Sequence, residues 1–418
     1  MTPFEDIYHP PSYFIRKRFL RNRPAVFGLG VIVLAILITL LGYLVMPDKT
    51  PDANDGSARI SRQKPGFSVT ILRLLQKHDV EQRGFLSRLY FGQESPYTIE
   101  PISDYRFVGD QVHFQLFGSG MRIQTGLLEA TRSTYASIAY LKADTLPSDL
   151  PPLYTLSVLD SFTYDTLISY LDPKKQLQSI RLDELREEFA ARNIETRFYP
   201  LGTDLSGRDV LSRLLFGTRI SLLVGLVTVL ISVLLGVTLG ALAGYFGGWI
   251  DDLVIWFMTV VWSVPSIMLV IAISIAFQDQ GLFITFAAVG FTMWVEIARV
   301  VRGQMKGIKK KLYIRSAQAF GLRNDRIIFN HILPNIIGPI IVSITANFAN
   351  AILIEAGLSF LGLGVQMPTP SWGMMLQEGF RSTDSWHLIF FPSICISLLV
   401  LAFNLLGNGL RDAYDPYH

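Results

Sequence analysis

The sequence predicts an α-helical polytopic membrane protein with an inserted extracytoplasmic α/β domain, and three observations lead there. Half of the 418 residues are hydrophobic and only 17% are charged, a balance that points away from a purely water-soluble chain. Six almost uncharged stretches are of a length to cross a bilayer as helices. A polar interval of about 150 residues separates the first stretch from the second and has the size of an independent domain. The formal net charge of +3 is too small to propose a nucleic-acid partner. One cysteine, Cys395, and six scattered histidines give no disulfide framework and no metal-ligand spacing, so no metal site is expected.

The first stretch, residues 25–46, would be about 33 Å long as a helix, enough for a hydrocarbon core. It exceeds a signal-peptide core and lacks a small-x-small cleavage site, which reads as a retained anchor. Further spans are read at 220–246, 253–277, 281–295, 335–354 and 388–410. The fourth is the shortest, about 22 Å, and must recruit residues 296–298 at one end. Pro265, Pro339 and Pro392 lie inside spans and are expected to kink them. Gly236, Gly240 and Gly244 recur every four residues in the second span, a row along which another helix can approach closely. Arg16, Lys17, Arg18, Arg21 and Arg23 before the first span place the N-terminus in the cytoplasm, and six spans return the C-terminus there. The loop between spans four and five is then cytoplasmic too, and it carries nine basic residues from Arg299 to Arg326 against the single acid Asp325. Three regions follow: 1–46 with the first span, the extracytoplasmic insert 47–199, and a five-span core 200–418 with the cytoplasmic loop 299–334.

Within the insert, residues 105–117 read as two strands around the turn dipeptide Gly109-Asp110, and 179–193 read as a helix with Ile180, Leu182, Leu185 and Phe189 on one side. Leu72, Leu74, Phe85, Leu86, Phe107, Phe114, Leu116, Leu153, Leu159, Leu182 and Phe189 are among the expected core members. At Leu201 the chain changes character, with LGTDLSGRDVLSRLLFGTRISLL. Ser206 and Asp209 have capping-box spacing and predict a helix start. Val210, Leu211, Leu214 and Leu215 would share one face while Arg208 and Arg213 meet water or headgroups, which suits a helix lying on the membrane surface. A calcium loop built on Asp204 and Asp209 lacks the further oxygen ligands.

In the cytoplasmic loop, KKKLYIRSAQAFGLRNDRIIFNHILPN, a first helix through 312–320 should end at Gly321, which tolerates the left-handed C-cap conformation. Asn324 or Asp325 can cap a second short helix, and Pro334 fits the first turn of the fifth span. Ala317 presents almost no side chain, so another protein's surface can approach there. An ordinary loop held to anionic membrane lipid by its Lys and Arg residues fits the same pattern.

Here the residues resemble a family. RSAQAFG followed by HILPN resembles the cytoplasmic EAA loop of permease subunits of ATP-binding-cassette (ABC) importers. LGTDLSGRDVLSRLLFGTRISLLVG, EAGLSFLGLGVQMPTPSWGMMLQEG and NLLGNGLRDAYDP are similar to the second, C-type permease of the dipeptide and oligopeptide importers. The likeness covers the first span and the chain from about residue 201 onward. It implies the ABC importer permease fold, with the loop a coupling helix seated in a cleft of the ATPase subunit. Carried over, this assigns coupling to Arg315, Ser316, Ala317, Phe320, Gly321 and Leu322. Arg315 stands where the general pattern has Glu, and Ser316 where it has the first Ala. Gly202, Thr203, Asp204, Gly207, Arg208, Asp209 and Pro334 are motif positions of structural kind. The interval 47–199 is much longer than the family pattern.

The resemblance further implies a subunit that moves peptides across a bacterial cytoplasmic (inner) membrane. Its partners would be a second homologous permease, two ABC ATPase subunits and an extracytoplasmic substrate-binding protein. A Walker A sequence is absent, so no cofactor is expected in this chain, with ATP and Mg on the partner ATPases. Glu355, late in the fifth span, is a functional-site candidate: it either contacts a peptide's N-terminal amine or is simply hydrated near the headgroups or hydrogen-bonded to a neighbouring helix. Trp372, in MPTPSWG, belongs either to an outer gate or to a rigid interfacial loop. Two other classes of function compete. A secondary transporter should show ionisable groups near mid-span or paired broken helices. A membrane-anchored enzyme with its activity in the insert would have only His78 and His113 as imidazole bases there, without a G-x-S-x-G or H-E-x-x-H motif.

Overall fold

The computed structural model describes residues 11–76, 80–132, 136–137, 167–171, 176–277, 282–382 and 384–414. They fall into two compact units, one of Met1–Met46 with Arg213–His418 and one of Pro47–Ser212. The first opens with α1 (Pro11–Arg21) and α2 (Arg23–Leu41), the latter extended by a 3-10 turn at Gly42–Leu44. Asn22 caps α2 by accepting the Ala25 amide hydrogen at 3.2 Å, and Pro24 sits in the first turn, where a missing N–H is harmless.

The inserted unit contains β1 (Phe67–Leu75), α3 (Phe85–Phe91), β2 (Tyr97–Val108), β3 (Gln111–Leu116), β4 (Arg122–Gly126), α4 (Leu127–Thr131), β5 (Ala136–Ser137), β6 (Leu167–Leu171), β7 (Leu177–Arg181), α5 (Leu182–Asn193) and β8 (Ile194–Tyr199). An antiparallel sheet runs β4-β3-β2-β1-β8, and a smaller one β5-β6-β7. Pairing of Val108 with Gln111 leaves Gly109-Asp110 as the hairpin turn, and Gly109 has φ +59°, a value that favours glycine. Alternation along β1 buries both faces of the larger sheet. Leu72 joins Ile102, Phe114, Leu116 and the helical Leu185 and Phe189 on one side, while Val69 and Ile71 join Ile60, Ile99 and Tyr199 on the other.

Two expectations for this unit change. Residues 179–181 belong to β7, so the helix begins at Leu182; Ile180 fits either periodicity, and its pairing with Ile168 decides for the strand. Phe85 and Leu86 are both 69% exposed on α3, not core. His78, Leu153 and Leu159 lie outside the described residues.

The membrane unit continues with α6 (Val210–Phe246), α7 (Gly248–Trp262), α8 (Ser266–Ala276), α9 (Leu282–Lys309), α10 (Leu312–Ala319), α11 (Asn324–Arg326), α12 (Leu333–Phe360), α13 (Trp372–Phe380) and α14 (His387–Tyr414). Among the described residues five helices are long and apolar enough to span, and α7 with α8 makes a sixth span if the bent pair is counted as one. The third span, expected to kink at Pro265, is broken by 87° at Ser263–Pro265. The fourth span is not short: α9 has 28 residues, and its polar half is kept helical by Asp251, which accepts from Arg302 at 2.5 and 2.9 Å and from Lys306 at 2.6 Å.

A separate surface helix before the second span does not form. Asp209 caps α6 through the Ser212 amide (2.8 Å), so Asp209 and not Ser206 starts the helix, which then runs unbroken for 37 residues. Arg208 and Arg213 are buried instead of facing headgroups, because each has a carboxylate partner: Asp204 at 2.7 Å for Arg208 and Glu378 at 2.7 Å for Arg213. The glycine row of α6 packs on α9, where a Cβ on Gly240 would stand 2.5 Å from the Ala298 carbonyl oxygen.

Candidate functional site

The loop after α9 is held from beneath by apolar packing. Ile314 of α10 is fully buried in a cluster with Tyr245, Val301, Met305, Ile327 and Ile332, and Ala317 and Leu322 pack against its edge. The Tyr245 hydroxyl donates to Asn324 at 2.7 Å, and Lys309 Nζ donates to the Tyr245 carbonyl at 2.5 Å. The C-terminal end of α6 therefore ties both ends of the loop. Gly321 has φ +75°, and Leu322 N–H closes back on the Ala317 carbonyl at 3.2 Å, a glycine-terminated helix end. Ala317 faces partly inward. What α10 presents outward is Leu312 (82% exposed), Arg315, Ser316 and, just past its end, Phe320 (85% exposed). Large apolar side chains this exposed on a fixed short helix form a contact surface that water does not favour.

The second expected helix of the loop is only α11, which runs through a π-helical turn, Ile327–Ile332, into α12. Asn324 is spent on Tyr245 and Arg323 occupies the cap position without a side-chain bond, so neither Asn324 nor Asp325 caps it. Pro334 stands in the first turn of α12, next to that widened turn.

Glu355 is fully buried, and its Oε1 accepts from Ser359 Oγ at 2.7 Å, which in turn accepts the Val365 amide at 3.1 Å. The Ser359 bond lies within α12 itself, and Glu355 Oε2 is buried without a hydrogen-bond partner among the described residues. Trp372 is likewise buried, its Nε1 donating to the Leu214 carbonyl at 3.0 Å and its ring seated on Gly217. With Arg213–Glu378, it fastens α13 onto α6, the arrangement of an anchor. The motif before α6 forms a compact knot in the inserted unit. Thr203 Oγ1 accepts from Gln63 N–H and donates to Ile60, Asp204 collects the Ser206 and Arg208 amides, and Gly202 (φ +78°) and Gly207 (φ +75°) leave no room for a Cβ.

Sequence reading missed Glu296. Assigned to the end of a short span, it sits near the midpoint of α9 and lines a cavity with Thr292 and Met293, the α7–α8 break and α12. The signal available was a lone acid inside a helical apolar period.

Residues 236–417 match the family described as binding-protein-dependent transport system inner membrane component, and residues 12–65 match the N-terminal TM domain of oligopeptide transport permease C. The chain is 44% identical over 217 residues to the dipeptide transport system permease protein DppC of Bacillus subtilis, covering 51% of this chain and 68% of that protein. It is 43% identical over 228 residues to the oligopeptide transport system permease protein OppC of Escherichia coli K12, covering 54% and 75%. The glutathione transport system permease protein GsiD of Pectobacterium atrosepticum is 44% identical over 217 residues, covering 52% and 72%. Among solved structures, a chain of the inward-facing MetNI methionine ABC transporter aligns with TM-score 0.42 and 16% identity, over 49% of this chain and 97% of that one.

Proposed function

This chain belongs to the family of binding-protein-dependent transport system inner membrane components, as a C-type permease of the dipeptide and oligopeptide kind, and on that premise we propose that it forms half of the pathway through which an ATP-driven importer carries peptides across the cytoplasmic membrane. The observation that carries the coupling role is α10, a helix fixed by buried Ile314 while Leu312, Arg315, Ser316 and Phe320 remain exposed. Two ABC ATPases would each grip one such helix, one from this chain and one from a second homologous permease. ATP and Mg belong to the ATPases, and an extracytoplasmic binding protein delivers the peptide. Both termini and the loop 299–334 are then cytoplasmic by the basic residues flanking them, and the inserted unit is extracytoplasmic. The apolar side of α3, with Phe85, Leu86 and Phe91 exposed, suits that unit to docking against the binding protein or the partner permease. The relatives give no support to a secondary transporter or a membrane-anchored enzyme.

The test is copurification of the tagged full-length chain from its native membrane. Recovery with a second permease and ATPase subunits, and peptide-stimulated ATP hydrolysis by the assembly, is expected. A preparation that transports peptide without any ATPase subunit would defeat the reading.

A further inference from the structure

The break between α7 and α8 opens a cavity of about 480 Å³ whose walls include Trp262, Pro265, Thr292, Glu296, Asn350 and Leu353. Glu296 is exposed, and among the described residues no hydrogen bond or ion pair engages its carboxylate. Arg299, one turn further along α9, is the nearest candidate partner in sequence. Its guanidinium lies over the Trp262 ring, 3.4 Å from the centroid, near enough for its charge to act on Glu296 although no ion pair joins them. The adjoining Ile297 and Ala298 are buried on the other side of α9, against the glycine row of α6, so Glu296 cannot turn inward. A carboxylate near the middle of a span is costly against lipid. It needs water, a polar pathway or a cation, and the cavity beside it offers an amide at Asn350 and apolar walls at Trp262 and Leu353.

We propose that Glu296 is the contact for a cationic nitrogen of the peptide in transit, with Asn350 beside it and the walls at the α7–α8 break receiving apolar side chains. This rests on the peptide-permease reading above. The same ammonium chemistry has two sources, the peptide's own N-terminus and a lysine side chain. Glu355 and Trp372, the acid and the aromatic that the motifs single out, are bonded within the chain, whereas the Glu296 carboxylate, with only the charge of Arg299 acting on it, makes no hydrogen bond or ion pair among the described residues.

Cells carrying the complete importer, with this chain as Glu296→Gln, Glu296→Asp or unaltered, are supplied with radiolabelled Ala-Ala-Ala or Ala-Lys-Ala. Initial uptake is normalised to the amount of chain in the membrane. Loss of one charge-assisted hydrogen bond predicts a fall of about tenfold or more for Glu296→Gln and recovery of most of the rate for Glu296→Asp. A fall for both peptides identifies the N-terminal ammonium, and a fall for Ala-Lys-Ala alone identifies the side chain. Glu296→Gln rates within twofold of the unaltered chain for both peptides overturn the proposal. So does loss of copurification with the second permease in Glu296→Gln, which would make Glu296 a subunit contact. If the unaltered chain supports uptake of neither peptide, the peptide reading itself falls and the subsite with it, an outcome visible before any variant is compared.

Discussion

Arg213 has no solvent exposure and meets Glu378 through two contacts, at 2.7 and 3.3 Å. Its energetic weight lies in what remains when the partner is removed: Glu378→Ala leaves a guanidinium buried without its carboxylate, a loss of about 3–5 kcal/mol. A clear drop in thermal midpoint in detergent is expected for Glu378→Ala, with most of it recovered in Arg213→Met/Glu378→Met. Equal midpoints for the single and double variants would contradict this. A second residue, Asp48 in the inserted unit, carries a pH dependence. Burial pushes its carboxyl from the ordinary 3.8 up to about 6, against the Thr50 and Asp55 hydrogen bonds that favour the charge. Below the ordinary value it is protonated folded and unfolded alike; above about 6 the folded state must hold a buried charge. The unit should therefore lose stability on the order of 3 kcal/mol as the pH rises through that window. Asp209, also raised by burial, has the same sign; Glu195, held low by Arg197 and Arg73 against its burial, has the opposite one. The difference between the unaltered chain and Asp48→Asn isolates Asp48, and β1 amide exchange, corrected for intrinsic rate, should show a steeper loss of protection toward pH 6 in the unaltered chain.

For α10 the relevant quantity is which face points outward. Phe320→Asp and Leu312→Asp should leave expression and thermal midpoint unchanged and cut peptide-stimulated ATP hydrolysis by about tenfold, because both side chains are more than four-fifths exposed. Gly321→Val acts differently: the site has open space, but φ +75° strains a β-branched residue by roughly 1–3 kcal/mol, so the loop itself should loosen. Ala317→Asp would disturb the buried cluster against which Ala317 packs, so it does not isolate docking. The elements that sequence revealed were those set by local chemistry: the apolar spans, the Gly109-Asp110 hairpin, the Gly321 stop and the close approach along Gly236, Gly240 and Gly244. What it did not reveal was set by distant partners. Arg213 looks like a headgroup ligand until Glu378, far along the chain, is brought beside it. Pro265 announced a bend, but nothing in its neighbours states 87°. Glu296 was misplaced because the apolar period ended at Val295 while the helix, stabilised by Asp251 on α7, did not.

At the scale of the whole molecule, the inserted unit is an addition within a chain whose remainder matches the permease family. Replacing residues 67–199 by a short Gly-Ser linker should leave the knot around Thr203 and Asp204 in place. ATPase copurification should persist while binding-protein-dependent uptake falls. Unchanged uptake would reduce the unit to a passive cap. The N-terminal family match ends at residue 65, and there the Gly66 amide donates to the Tyr199 carbonyl at 3.1 Å while Phe67 pairs with Tyr199. The two ends of the insert are thus adjacent strand positions, about 5 Å apart. Just outside them, Arg62 and Gln63 bond Asp204 and Thr203 without help from the insert, and so hold the doorway closed whatever stands beyond it. Lengthening such a loop costs little closure entropy, so this doorway is a natural grafting port. A foreign domain with neighbouring termini, spliced between Gly66 and Pro200, should fold there without disturbing the permease.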